Sequence, residues 1–157
     1  MDRVVRLYDL PSIDKELETL KKSNINIRRA MAYEKSVVTK WVRDNFSIEW
    51  SDECSVSFFN HPISCFIATE NGKIIGFACY ESTCKNFFGP IGVDNSKRGL
   101  KIGKVLLVKA LQAMSDMGYA YAIIGGGDGV EWFYKSVDAI EIEGSQNGIY
   151  RDFLNPN

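Results

Sequence analysis

Residues Ile91 to Leu107 read I-G-V-D-N-S-K-R-G-L-K-I-G-K-V-L-L. The stretch joins the end of an apolar strand to the start of a helix. From Ile102 onward the apolar positions are Ile102, Val105, Leu106, Ala110, Ala113, Met114 and Met117. Their spacing follows one helical stripe, and Gly118 suits the position just past the helix end. Lys97, Arg98, Lys101 and Lys104 crowd the entry to this helix. A helix start leaves backbone N–H groups without acceptors, and those donors together with the dipole favour an anion. Gly99 and Gly103 allow a ligand close to the main chain. The run from Arg98 to Gly103 is therefore predicted to bind a phosphate-like group.

Two other readings of the glycines fail. A Walker A loop needs four residues between its glycines and a hydroxyl after its lysine. Only three residues separate Gly99 from Gly103, and Val105 follows Lys104. The second run, Gly125-Gly126-Gly127-Asp128-Gly129, follows the apolar stretch Tyr119 to Ile124. As a dinucleotide fingerprint it would need a third glycine where Val130 stands. It reads instead as a permissive turn.

Working outward, Arg3 to Tyr8 reads as a short strand. Ser12 is a candidate cap for a helix over Ile13 to Lys22. A second helix is predicted over Ile27 to Asn45, and a third after Trp50, with Ser51 as cap and Asp52 and Glu53 in its first turn. Cys65 to Glu70 and Lys73 to Ser82 flank Asn71-Gly72, the strongest short hairpin signal. Phe87 to Val93 forms the next strand, distorted at Gly89-Pro90 because proline in a sheet belongs at an edge or bulge. The run Tyr119 to Ile124 predicts a strand covered on both faces. A short helix over Glu131 to Ser136 and strands over Ala139 to Glu143 and Gly148 to Phe153 complete the order.

The 157 residues make one domain the simplest expectation, with an N-terminal helical part over about 1–62 and a core over about 63–157. Hydrophobic residues at 45% and charged residues at 25% suffice for a core without staples. A net charge of −1 argues against general polyanion binding, so no nucleic-acid or membrane-surface partner is expected. The N-terminus lacks the apolar region of a signal peptide, and no stretch has the length of a membrane span. Cys54, Cys65, Cys79 and Cys84 show no C-x-x-C pairing, which predicts reduced thiols in a cytoplasm and no metal site. The single histidine, His61, precedes Pro62 in a loop and has no nucleophile elbow near it.

The run Ile91 to Leu107 resembles the acyl-CoA-binding motif of the GNAT superfamily of N-acetyltransferases. That motif reads Arg/Gln-x-x-Gly/Ala-x-Gly/Ala after a strand ending in valine and before an amphipathic helix. The Asn71-Gly72 hairpin, the distorted strand at Gly89-Pro90, the long helix, the buried strand and the short helix with Phe133-Tyr134 follow the same order. The likeness spans residues 63–143 well and the N-terminal third loosely. Lys101 departs from it, standing where glycine or alanine is usual. Its long side chain either crowds the pyrophosphate or turns outward and adds a charge. The fold class expected is α+β, α/β mixed: one central, mostly antiparallel sheet of about seven strands, splayed between the fourth and fifth and flanked by helices.

The resemblance implies acetyl-CoA as co-substrate and direct transfer of its acetyl group to a primary amine. It places the pantetheine arm between strands Phe87–Val93 and Tyr119–Ile124, on backbone groups of Ile91 and Val93, with Gly92 between them also counted as cofactor-binding. The pyrophosphate would lie on Arg98, Gly99, Leu100, Lys101, Ile102, Gly103 and Lys104. A backbone N–H near Ile91 would polarise the thioester carbonyl. Tyr134 matches the tyrosine that serves the leaving thiolate in many members, and Glu81 stands near a strand end where some carry a base; water is the alternative. Cys79 and Cys84 are read as core or surface thiols rather than acyl acceptors. The amine should bind over the N-terminal helices and the last hairpin, near Trp41, Phe46, Trp50, Phe58 and Phe59, with His61 either lining the acceptor site or capped in its loop, and a homodimer is compatible with the family. Two rival functions stand beside this one. One is a GNAT-fold module that binds acyl-CoA without turnover, and the other is an α+β interaction domain with no cofactor.

Overall fold

The computed structural model describes residues 1–126 and 130–154. Its strands are β1 (Arg3–Arg6), β2 (Ile25–Arg29), β3 (Cys65–Glu70), β4 (Lys73–Tyr80), β5 (Phe87–Val93), β6 (Tyr121–Ile124) and β7 (Ile140–Glu141). Its helices are α1 (Asp14–Lys22), α2 (Lys35–Asn45), α3 (Ile48–Ser57), α4 (Ile102–Asp116) and α5 (Glu131–Tyr134). The strands form one sheet in the order β2-β3-β4-β5-β6-β1-β7. Every pairing is antiparallel except β5 with β6. This is the expected α+β sheet.

The β3–β4 hairpin turns on Asn71 (φ 50°) and Gly72 (φ 73°), the left-handed pair that matches strand twist. Helix α4 is buried along most of its length and crosses one face of the sheet. Its Leu106, Leu107 and Leu111 share a core with Val5, Ala78 and Phe88. Helices α2 and α3 cover the opposite face through Val38, Val42, Cys54, Ile67 and Phe77. The sheet is thus a middle layer between two helical ones.

Several expected elements differ. Residues Ile25 to Arg29, expected inside a helix, are strand β2 on the edge of β3, with Ile25 opposite Glu70 and Arg29 opposite Phe66. Asn24 (φ 59°) closes the turn after α1, and the free edge of β3 takes up the Ile-Asn-Ile alternation. Helix α2 starts only at Lys35, where Glu34 accepts the Met31 N–H at 2.9 Å and a two-pronged ion pair from Arg28. Helix α3 starts four residues early. Ser47 Oγ accepts the Trp50 N–H at 3.1 Å, while the expected cap Ser51 is buried and donates to the Thr39 carbonyl at 2.8 Å. Ser51 thereby docks α3 on α2 rather than opening it.

Strand β6 begins at Tyr121 and is exposed there, so it is covered on alternate residues and not on both faces. Among the described C-terminal residues, only Ile140–Glu141 pairs, against Val4 and Arg3. Residues 148–153 form no strand. Positive φ at Asn147, Gly148 and Asp152 turns that segment. Of the glycine run after β6, Gly127, Asp128 and Gly129 lie outside the described residues.

Candidate functional site

Strands β5 and β6 pair only at Phe87 with Ile123 and Phe88 with Ile124. Beyond Phe88 they separate, and a cleft of about 1040 Å³ opens between them. On its other edge β5 stays bound to β4, through Ala78–Ile91, Phe77–Gly92 and Gly76–Val93. The Asp94 N–H donates to the Ile75 carbonyl on that side at 2.9 Å. Strand alternation then turns the backbone groups of Gly92 the same way and those of Ile91 and Val93 into the cleft. Among the described residues, the splay therefore leaves a short strand edge without a partner.

The start of α4 forms one end of the cleft. Asp94 caps the turn before it, accepting from Ser96 N at 2.8 Å and Ser96 Oγ at 2.7 Å. Gly99 (φ 85°) and Lys101 (φ 68°) are both left-handed. The first helical bond is Val105 N–H to the Lys101 carbonyl. Among the described residues, no group accepts from the amides of Gly99 to Lys104. These are the donors that a helix start directs at an anion.

The cations around those donors differ in their engagement. Lys97 is paired with Glu70 at 2.5 Å and Lys104 with Glu16 of α1 at 2.7 Å. The Lys104 contact holds the Glu16 carboxyl below its ordinary range. Arg98 and Lys101 are exposed at the mouth and have no carboxylate partner among the described residues. Lys101 is exposed and takes the backbone conformation that glycine usually supplies.

The other end is aromatic and acidic. Phe46, Trp50, Glu53, Thr83, Gly125 and Tyr150 line it. Glu53 accepts a hydrogen bond from Thr83 Oγ1 at 2.9 Å. Burial pushes the Glu53 carboxyl above its usual range, against that bond. Burial also raises the Tyr150 phenol, and the nearby Glu53 charge adds to the shift. Trp50 stacks on Phe46 at 5.4 Å between ring centroids, and Phe46 packs on Phe77 of β4.

Tyr134 also lines the cleft. It is buried beside Phe133, with 5.1 Å between ring centroids, and burial pushes its phenol up to about 12. The Phe133 ring lies over Gly103.

Most of the residues singled out in the sequence line this one cleft: Ile91, Gly92, Val93, Arg98, Gly99, Lys101, Ile102, Gly103, Lys104 and Tyr134. Leu100 is exposed outside it. Glu81 is also outside it. Its carboxylate accepts the Asn86 N–H at 2.6 Å and pairs with Lys85 at 3.1 Å, which braces the turn into β5. Trp41 and Phe58 belong to the core layer, and His61 and Phe59 are exposed away from the cleft. Glu53, Thr83 and Tyr150 were not found in the sequence. The available signal was spacing, because Trp50 and Glu53 are three residues apart on one helix face.

The model of the acetyltransferase (GNAT) family matches residues 35–127. The chain belongs to the GNAT acetyltransferase family. Solved GNAT structures share its fold. A glucosamine N-acetyltransferase region of a fungal multi-domain GH3 β-N-acetylglucosaminidase superimposes with a TM-score of 0.71 at 17% identity, covering 88% of this chain and 19% of that one. A GCN5-related N-acetyltransferase from Sphaerobacter thermophilus gives 0.68 at 17% identity, covering 88% and 47%. An aminoglycoside acetyltransferase from an uncultured soil metagenomic sample gives 0.54 at 18% identity, covering 74% and 89%. This GNAT chain thus spans well under two thirds of the first two. No curated protein matches it. No helix among its described residues is long and apolar enough to cross a membrane.

Proposed function

We propose that this GNAT protein transfers an acetyl group from acetyl-CoA to a primary amine by direct attack, both substrates occupying the one cleft. The observation that carries the reading is the cleft's polarity. Unpaired amides with Arg98 and Lys101 stand at one end, and Glu53 among aromatic rings stands at the other. The first suits an anionic donor and the second a cationic acceptor.

The residues present fit a nucleotide thioester. The amides of Gly99 to Lys104 suit a pyrophosphate, with Arg98 and Lys101 adding charge. The free edge at Ile91 and Val93 suits an amide-bearing arm laid down as an added strand. When bound, acetyl-CoA supplies the activated acetyl group.

Glu53 is placed to take a proton from the incoming ammonium, since an amine attacks only when neutral. An alkyl amine has a pKa of about 10.4, so it arrives charged at neutral pH. A carboxylate lifted by burial is a better base than an ordinary one. The cleft-facing Ile91 N–H holds the carbonyl oxygen as negative charge develops on it. Tyr134 faces the departing sulfur. A phenol near 12 is a weaker acid than a thiol of pKa about 8.5, so Tyr134 donates a hydrogen bond and keeps its proton.

Calorimetric titration with acetyl-CoA, with ATP and NAD as controls, tests the donor end. Thiol release over a panel of amines tests transfer. Saturable binding of acetyl-CoA alone, followed by amine-dependent thiol release, is the expected result. Binding without release from any amine would instead support a CoA-binding module, and no binding would remove the enzyme reading.

A further inference from the structure

Three of the four cysteines, far apart in sequence, meet in the layer between the sheet and helix α3. Cys54 comes from α3, Cys65 from β3 and Cys79 from β4, the last two directly opposite in register. All three are fully buried, and their sulfur atoms lie within 4.8 Å of one another. Some point then lies within about 2.8 Å of all three, and a contraction of about 0.5 Å would reach the 2.3 Å of a typical metal–thiolate bond. The cleft described above does not include them.

We propose that Cys54, Cys65 and Cys79 form a three-thiolate site for a trivalent thiophilic ion, of which trivalent arsenic is the probe. Three soft ligands select a soft ion, and burial selects its charge. Three thiolates around a monovalent ion leave two negative charges in an apolar layer, and around a divalent ion one. A trivalent ion leaves none, and uncompensated buried charge is strongly disfavoured. Coordination number agrees. Structural zinc is almost always four-coordinate, whereas among the described residues no His, Asp or Glu joins this group. The Phe66 carbonyl oxygen lies 3.7 Å from Cys65 Sγ, beyond bonding distance, and Ser57 Oγ, 3.8 Å from Cys79 Sγ, already donates to the Cys54 carbonyl at 2.6 Å. Three-coordinate trivalent arsenic needs no fourth ligand.

The exchange balances without an oxidant. Arsenous acid, As(OH)₃, is neutral. Each thiol proton leaves with one hydroxide as water, and three S–As bonds replace three As–O bonds. Entry requires α3 to lift from the sheet, a local opening of the kind folded proteins undergo. Cys54 adjoins Glu53, so the ion would tie to the sheet the helix that also walls the cleft. The inference is independent of the acetyl-transfer reading.

The test uses the full chain, reduced with a thiol-free reductant and titrated with arsenite. Intact mass should show one adduct, heavier by one arsenic less three hydrogens. X-ray absorption at the arsenic edge should show three sulfur neighbours and no oxygen. The melting temperature should rise with arsenite concentration. Cys54→Ser should weaken binding by about tenfold or more, a loss that even an outer partner of a metal ligand can cause, while Cys84→Ser should bind as the wild type does. The wild-type spectrum stands even if Cys54→Ser fails to fold. No adduct, or an arsenic with two sulfurs and one oxygen, would overturn the site. Zinc raising the melting temperature when arsenite does not would overturn the choice of ion.

Discussion

The ring of Phe46 fills the space above Gly92 where a side chain would begin. A Cβ on Gly92 would overlap Phe46 Cζ and stand 2.7 Å from both Cε atoms. The end of α2 is thereby seated directly on the cleft strand, and Phe46 is wedged between Gly92, Trp50 and Phe77. Gly92→Ala must push the ring out of that cluster. Overpacking of this kind costs about 1–3 kcal/mol. Urea denaturation should show that loss, and acetyl-CoA affinity should fall with it.

Lys101 holds a left-handed backbone at the start of α4. For a non-glycine residue that conformation costs roughly 1–2 kcal/mol, partly offset by the greater freedom of glycine in the unfolded chain. Lys101→Gly should therefore stabilise the protein by about 0.5–1 kcal/mol. Thermal melts read the gain. Calorimetry on the same variant should show acetyl-CoA binding weakened by the loss of one cation, an effect that fades as salt rises.

Arg98 is exposed, so its charge can be reversed without touching the core. Arg98→Glu should leave stability within about 0.5 kcal/mol and weaken acetyl-CoA binding by about tenfold or more, the scale of a lost charge-assisted contact. Unchanged affinity would remove the pyrophosphate from this end of the cleft.

Glu53 carries a carboxyl raised by burial. A raised acid favours the folded state below its unfolded pKa, and that contribution is lost as pH rises through the folded value. At neutral pH the buried charge is therefore a cost, and Glu53→Gln should raise the melting temperature. The same change should lower kcat/KM by about 10²–10⁴-fold, the usual worth of a general base. The wild-type rate should fall on the acid side at a pH above the ordinary carboxylate range, and the variant should lack that limb.

Tyr134 ionises near 12 when folded and near 10 when unfolded. Between those values the unfolded chain has lost a proton that the folded chain keeps. Stability is thus intact below about pH 10 and declines as pH rises through 12, by about 2–3 kcal/mol in full. Tyr134→Phe should flatten that decline in alkaline melts. On the proposed mechanism it should also slow thiol release with little change in acetyl-CoA affinity, as expected of a phenol that serves only the departing sulfur.

Local signals located the elements whose own residues decide them. Asn71-Gly72 specifies a hairpin because few other pairs tolerate two left-handed residues. The apolar stripe of α4 and the strands Cys65–Glu70 and Phe87–Val93 were legible for the same reason. Strand β2 was not. Ile25 to Arg29 has the composition of either element, and only the open edge of β3 decides in favour of a strand. Ser47 and Ser51 are equally good caps in sequence. The choice depends on which hydroxyl the Thr39 carbonyl claims.

The amide-rich turn proposed for the donor was legible in the chain alone. An anion turn is built from consecutive backbone amides and nearby cations, so Arg98 to Lys104 carries the whole of it. The acidic, aromatic wall of the cleft and the thiol cluster come together only on folding. Glu53, Thr83 and Tyr150 come from α3, the turn after β4 and the C-terminal segment, and nothing in their spacing relates them. Cys54, Cys65 and Cys79 likewise meet only because α3 packs across β3 and β4. Glu81 shows the converse. Its place at a strand end suggested a base, but the fold turns its carboxylate onto the Asn86 amide. A side chain's chemistry is written in the sequence, while its neighbours, and so its pKa and its partner, are set by packing.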